Sequence, residues 1–157
     1  MTSFNAFNLF FTQLKKLSTT ENSIKFVKAP TSLKETGAIV KVSMLKAFPQ
    51  GQPRVNKSNM IRVRVSVEGT IESETGLKQA MDAIEILDEY LLCSSPGNES
   101  AVLHLEDENK PIPNSRIITQ ISVEDSFIDS PDATTVQDLQ DERIVTITYP
   151  KEYVCNT

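Results

Sequence analysis

Midway along the chain the hydrophobic period changes from two to helical. Ile61, Val63, Val65 and Val67 alternate with Arg62, Arg64, Ser66 and Glu68, the mark of a strand with one buried face. Further on, Leu77, Ala80, Met81, Ile84, Leu87 and Leu91 recur three or four positions apart and predict a helix to about Leu92. Ser73 or Thr75 offers its N-cap, and S-S-P-G-N-E-S ends it. The strand's apolar face should meet Leu77, Met81, Ile84 and Leu87 of that helix. Arg62 and Arg64 then lie on the opposite face, which reads either as a solvated face or as one that meets another subunit or lines a pore.

The same reading extends along the chain. Ser3 caps a first helix whose stripe is Phe7, Phe10, Phe11, Leu14 and Leu17, with Lys15 and Lys16 at the end where cations suit the dipole. Phe4 widens that stripe, and surplus apolar surface invites a neighbouring subunit. The stretch from Thr19 to Lys34 is polar and contains Pro30, with a short extended piece expected at Ile24 to Val27. Ala38 to Leu45 is a strand with Val40, Val42 and Met44 on one face. A loop from Phe48 to Asn59 joins it to Ile61–Val67 as a long-looped hairpin. Ala101 to Leu105 gives a short strand, Lys110 to Asn114 a connection, and Ile117 to Val123 another alternating strand. Ile144 to Tyr149 is the last strand, stopped by Pro150.

Helix, two strands, helix and two or three strands make an α+β fold. Alternation in the strands predicts a two-layer domain: a mainly antiparallel four- to five-stranded sheet with two main helices packed on one face. All 157 residues fit a single domain, with a long hairpin loop near 48–59 and an acidic loop near 124–142.

Charge and chemistry narrow the function. A net charge of -5 argues against binding a phosphate backbone, so no specific nucleic-acid partner is expected. No run approaches the roughly 20 apolar residues of a membrane span. The N-terminal segment also lacks a signal peptide's basic and apolar regions, so the expected setting is cytoplasmic, with no membrane partner. Cys93 and Cys155 have no metal-ligand spacing and read as reduced thiols. His104, the only histidine, has no serine elbow or orienting group to work with and reads as a surface or sheet-edge residue. The carboxylates of Glu124 to Glu142, among them Asp129 and Asp132, do not follow a cation-loop spacing and have no glycine for its turn. They read as a solvated or partner-facing loop. None of the five glycines falls in a nucleotide-cradling motif. The expectation is a non-enzyme without catalytic, cofactor-binding or metal-binding residues.

In its order of elements the chain resembles the tail terminator (tail-completion) proteins of tailed bacteriophages and related contractile particles. The resemblance rests on the helix from Ser3 to Leu17, the hairpin containing I-R-V-R-V-S-V-E-G, and the helix after S-E-T-G-L-K-Q-A-M-D-A-I-E-I-L. R-I-I-T-Q-I-S-V-E-D-S-F and R-I-V-T-I-T-Y-P complete it. It is a likeness of pattern, since the family has no catalytic signature. It implies a structural virion protein that assembles in the host cytoplasm into a homohexameric ring in the tail. Such a ring caps the tail tube, ends polymerisation and prepares the tail for joining to the head. Its implied partners are further copies of itself, the tail tube protein, head-neck proteins and a sheath protein.

A ring needs two different patches that meet on neighbouring copies. The basic residues Arg54 and Lys57 could face Asp129 or Asp132 of a neighbour or tail partner, and Arg62 and Arg64 complete the candidate interface. Competing readings are a head–tail connector or other minor tail protein, a non-phage α+β binding or adaptor domain, and a metal-dependent enzyme using the acidic segment.

Overall fold

The computed structural model describes residues 1–21, 24–29, 39–49, 58–71, 74–92, 103–121 and 137–155. Along them run α1 (Ser3–Lys15), β1 (Lys25–Lys28), β2 (Ile39–Pro49), β3 (Ser58–Ile71) and α2 (Glu74–Leu91). β4 (Glu106–Asp107), β5 (Lys110–Pro111), β6 (Arg116–Ile121) and β7 (Gln137–Pro150) follow. Five strands form one sheet in the order β1-β2-β3-β7-β6, and β4 and β5 form a separate ribbon. This is the expected α+β sheet-and-helix fold. β1 joins its neighbour in parallel, whereas the other pairings in the sheet are antiparallel.

β3 and β7 are the spine. Each has 14 residues, and they pair without interruption from Ser58 opposite Pro150 to Ile71 opposite Gln137. Both exceed the strands expected from alternation, because a central strand satisfies its backbone through its neighbours even where its side chains are polar. Asp141 and Glu142 are therefore strand residues, not the end of an acidic loop. The β2–β3 ladder likewise reaches Phe48 opposite Met60 and Pro49 opposite Asn59, so the margins of the expected Phe48–Asn59 loop are strand.

Side chains of one parity make the core. Val40 and Val42, Ile61 to Val67 in alternation, Val145, Ile147, Tyr149 and Ile117 are all buried on this inner face. Ala6, Phe7, Phe10 and Leu14 of α1 and Ala80, Ala83, Leu87 and Leu91 of α2 close over it in one cluster. Both helices thus cover the same face. The buried line of α2 differs from the expected stripe: Met81 is 44% exposed, Leu77 and Ile84 are half-buried, and Ala83 is fully buried. Two alanines let the helix axis approach the sheet, which turns the larger Met81 to its flank.

Two smaller departures have local causes. Thr2, not Ser3, caps α1: its hydroxyl accepts the Asn5 N–H at 3.2 Å. Met44 sits in inner register opposite Val63 but is exposed, at the point where β2 bulges between Met44 and Lys46 and the regular alternation of its faces is interrupted.

Segment 103–117 closes one end of the core. Leu103 and Ile117 form a bridge, and the Ile112 N–H donates to the Leu105 carbonyl at 2.8 Å. β4 turns into β5 through Glu108 and Asn109, both at positive φ, the geometry of a tight hairpin. Asn114, also at positive φ, follows Pro113 in a turn closed by the Ser115 N–H on the Ile112 carbonyl at 3.3 Å. Buried Gln13 ties this segment to both helices. Its Nε2 donates to Tyr90 Oη at 2.6 Å and to the His104 carbonyl at 2.9 Å, while its Oε1 accepts the Glu106 N–H at 2.9 Å.

Candidate assembly surface

The opposite parity of the same strands forms the outer face. β3 contributes Met60, Arg62, Arg64, Ser66 and Glu68, and β7 contributes Glu142, Ile144, Thr146 and Thr148. β6 adds Arg116, Ile118 and Gln120. Neither α1 nor α2 lies on this side. Arg62 and Arg116 are exposed, and Ile118 is 46% exposed. Ladder register sets Arg62, Thr146 and Ile118 in one row across three strands.

Arg62 and Arg64 share this face, as alternation predicts, but their situations differ. Arg64 Nε lies 3.3 Å from Glu142 Oε1 on the neighbouring strand. The pair is diagonal, and its geometry makes it an ionic contact and not an aligned hydrogen bond. Ser66 is buried beside it, its hydroxyl donating to Glu68 at 3.3 Å. Arg62 has no ion-pair partner among the described residues. Arg54, Lys57, Asp129 and Asp132 lie outside the described residues, so their expected pairing remains a proposal.

The outward side of α2 is acidic. Glu74, Asp82, Glu85 and Glu89 project from α2 away from the sheet, together with Lys78. Lys78 Nζ meets Asp82 Oδ2 at 2.9 Å one turn away, and this bond raises the lysine pKa. Met81 and Leu92 are exposed along the same side, Leu92 at 43%.

Between the faces lies a charge cluster. Arg143, fully buried on the inner face, contacts Asp88 of α2, and its Nη1 lies 2.6 Å from Asp141 Oδ2. Burial works against the guanidinium charge, but the hydrogen bond to Asp88 and the field of Asp141 hold its pKa above the ordinary value. This cluster fastens α2 to β7. The pattern held a signal for it, since Asp141 and Arg143 are in phase with Val145, Ile147 and Tyr149. Burial also raises the Tyr149 phenol pKa, against an opposing hydrogen bond with Asn59.

His104 and Ser115 are engaged structurally. His104 Nδ1 lies 2.6 Å from the Ser115 carbonyl, which assigns the ring proton to that nitrogen. The buried Ser115 hydroxyl accepts the Leu105 N–H at 3.1 Å and donates to the Ile112 carbonyl at 2.7 Å. Serine and histidine therefore face backbone and not each other, which is no arrangement for nucleophilic attack. Cys155 is a free thiol whose pKa is raised by burial and by Asp107, and Cys93 lies outside the described residues. Among the described residues no group of three or more His, Cys, Asp or Glu side chains could hold a metal ion. No helix among them is long and apolar enough to cross a membrane. The chain matches no protein-family model and none of the curated proteins searched.

Proposed function

We propose that this chain is a structural assembly protein of a tailed-bacteriophage particle. In this reading it forms a ring, a hexamer by resemblance, that caps the tail tube. The ring ends polymerisation and prepares the tail for the head, so the protein resides in the virion tail. Its partners are its own copies, the tube protein, head-neck proteins and a sheath protein.

The observation that carries the reading is the two-sidedness of the sheet. Helices cover one face, while the other presents Arg62, Arg116 and Ile118 outward from β3 and β6. A broad mixed surface of this kind suits contact with a protein partner better than the enclosure of a small molecule. The order of helix, hairpin, helix and closing strands on which the resemblance rests also runs through the described fold.

The test is direct. The purified chain is added to polymerising tail-tube protein from the same genome, and tube lengths and ends are measured by electron microscopy. Tubes of bounded length carrying extra density at one end are expected. Tubes that grow as long as without the chain, with bare ends, would sink the terminator reading.

A further inference from the structure

We infer that the outer sheet face of one copy seats the outward side of α2 of the next copy, a head-to-tail contact. This rests on the ring reading for its biological setting, but on the two surfaces themselves for its physics.

Charge points first to this pairing. On the outer sheet face Lys41, Arg62, Arg64 and Arg116 outnumber Glu68 and Glu142, and Glu142 is already occupied by Arg64. On α2, Lys78 is occupied by Asp82, leaving Glu74, Glu85 and Glu89 to set the sign. A basic face and an acidic face thus stand on opposite sides of a chain whose net charge is -5. Sheet face against sheet face would place arginine on arginine, and helix against helix would place glutamate on glutamate. Both symmetric pairings are disfavoured, and the unlike pairing is favoured.

Apolar surface and dimensions agree with the charges. Met81 and Leu92 stand out beside Glu85 and Glu89 on the helix, and Ile118 stands out in the row containing Arg62 on the sheet. Each surface therefore offers exposed apolar side chains among its charges, as protein contacts do. The 18 residues of α2 span about 27 Å. The stretch of β3 from Met60 to Glu68 spans roughly the same length. Contact between two different patches is heterologous, so successive copies close into a ring or extend as a filament.

Two variants test the contact. One carries Arg62→Glu and Arg116→Glu; the other carries Glu85→Lys and Glu89→Lys. All four positions are exposed, and thermal melts check that each variant stays folded. Mass in solution is followed by sedimentation at low and high salt. Self-association of each variant alone should weaken about tenfold or more, because its two faces now repel. An equal mixture should recover the wild-type mass, because each altered face then meets a complementary one. High salt should weaken the wild-type contact and relieve the repulsion in the variants.

Wild-type association that neither variant disturbs would overturn this contact while leaving the ring reading intact. A wild-type chain that stays single up to about 1 mM at low salt would overturn self-docking altogether. Tube capping is read separately, so a failure there with charge-dependent association intact would overturn the terminator reading alone.

Discussion

Arg143 shows how a single side chain can fix the relation between layers. It is one of the largest fully buried side chains among the described residues, it lies on the apolar face of β7, and its two carboxylate partners come from β7 and α2. A buried ion pair adds little net stability, but removing one partner leaves charge stranded in the core. Arg143→Ala should therefore lower unfolding free energy by about 3–5 kcal/mol. Arg143→Lys should recover only part, since an ammonium lacks the planar fork that serves both carboxylates. Urea titration of the three proteins measures both effects. The sequence carried the phase of Asp141 and Arg143 but not their depth, because a charged residue on a strand is normally read as solvent-facing. Arg62 and Arg64 illustrate the reverse: alternation placed both correctly, whereas the Arg64–Glu142 contact depends on a ladder register that no local pattern contains.

At the scale of elements, periodicity located both helices and most of the sheet but misjudged ends and rotations. β7 begins at Gln137 because it pairs with the end of β3, and Q-D-L-Q-D contains no alternation to announce that. α2 is rotated because small residues are as important as large ones in a close helix–sheet contact, while hydrophobic patterns weigh alanine lightly. The rotation has a measurable consequence. Leu87→Ala removes a fully buried side chain and should cost about 2–5 kcal/mol. Met81→Ala, one of the positions the pattern assigned to the core, should change stability by no more than about 0.5 kcal/mol. Thermal or urea unfolding of the two variants distinguishes the observed rotation from the expected one.

For the whole molecule, the fold class and the one-sided placement of helices were legible because every long element is amphipathic. The candidate surface was legible only in part. Its sheet half follows from parity, but its acidic counterpart on α2 emerges only once the helix is seated and its outward side is known. Gln13 marks what pattern cannot supply at this scale. Its side chain joins α1 to Tyr90 on α2 and to His104 and Glu106 on the segment that closes the core end. A glutamine on an otherwise apolar helix face gives no hint of partners so far along the chain. Those three bonds also bear on the order of events in folding. They form only after both helices and the closing segment have met, when the entropy of bringing distant segments together has been met by larger apolar contacts. A bond made that late acts as a latch, setting how long the folded chain persists more than how quickly it is reached. Gln13→Ala, with a loss of about 2 kcal/mol, should hasten unfolding by roughly thirtyfold while leaving the folding rate nearly unchanged in stopped-flow kinetics.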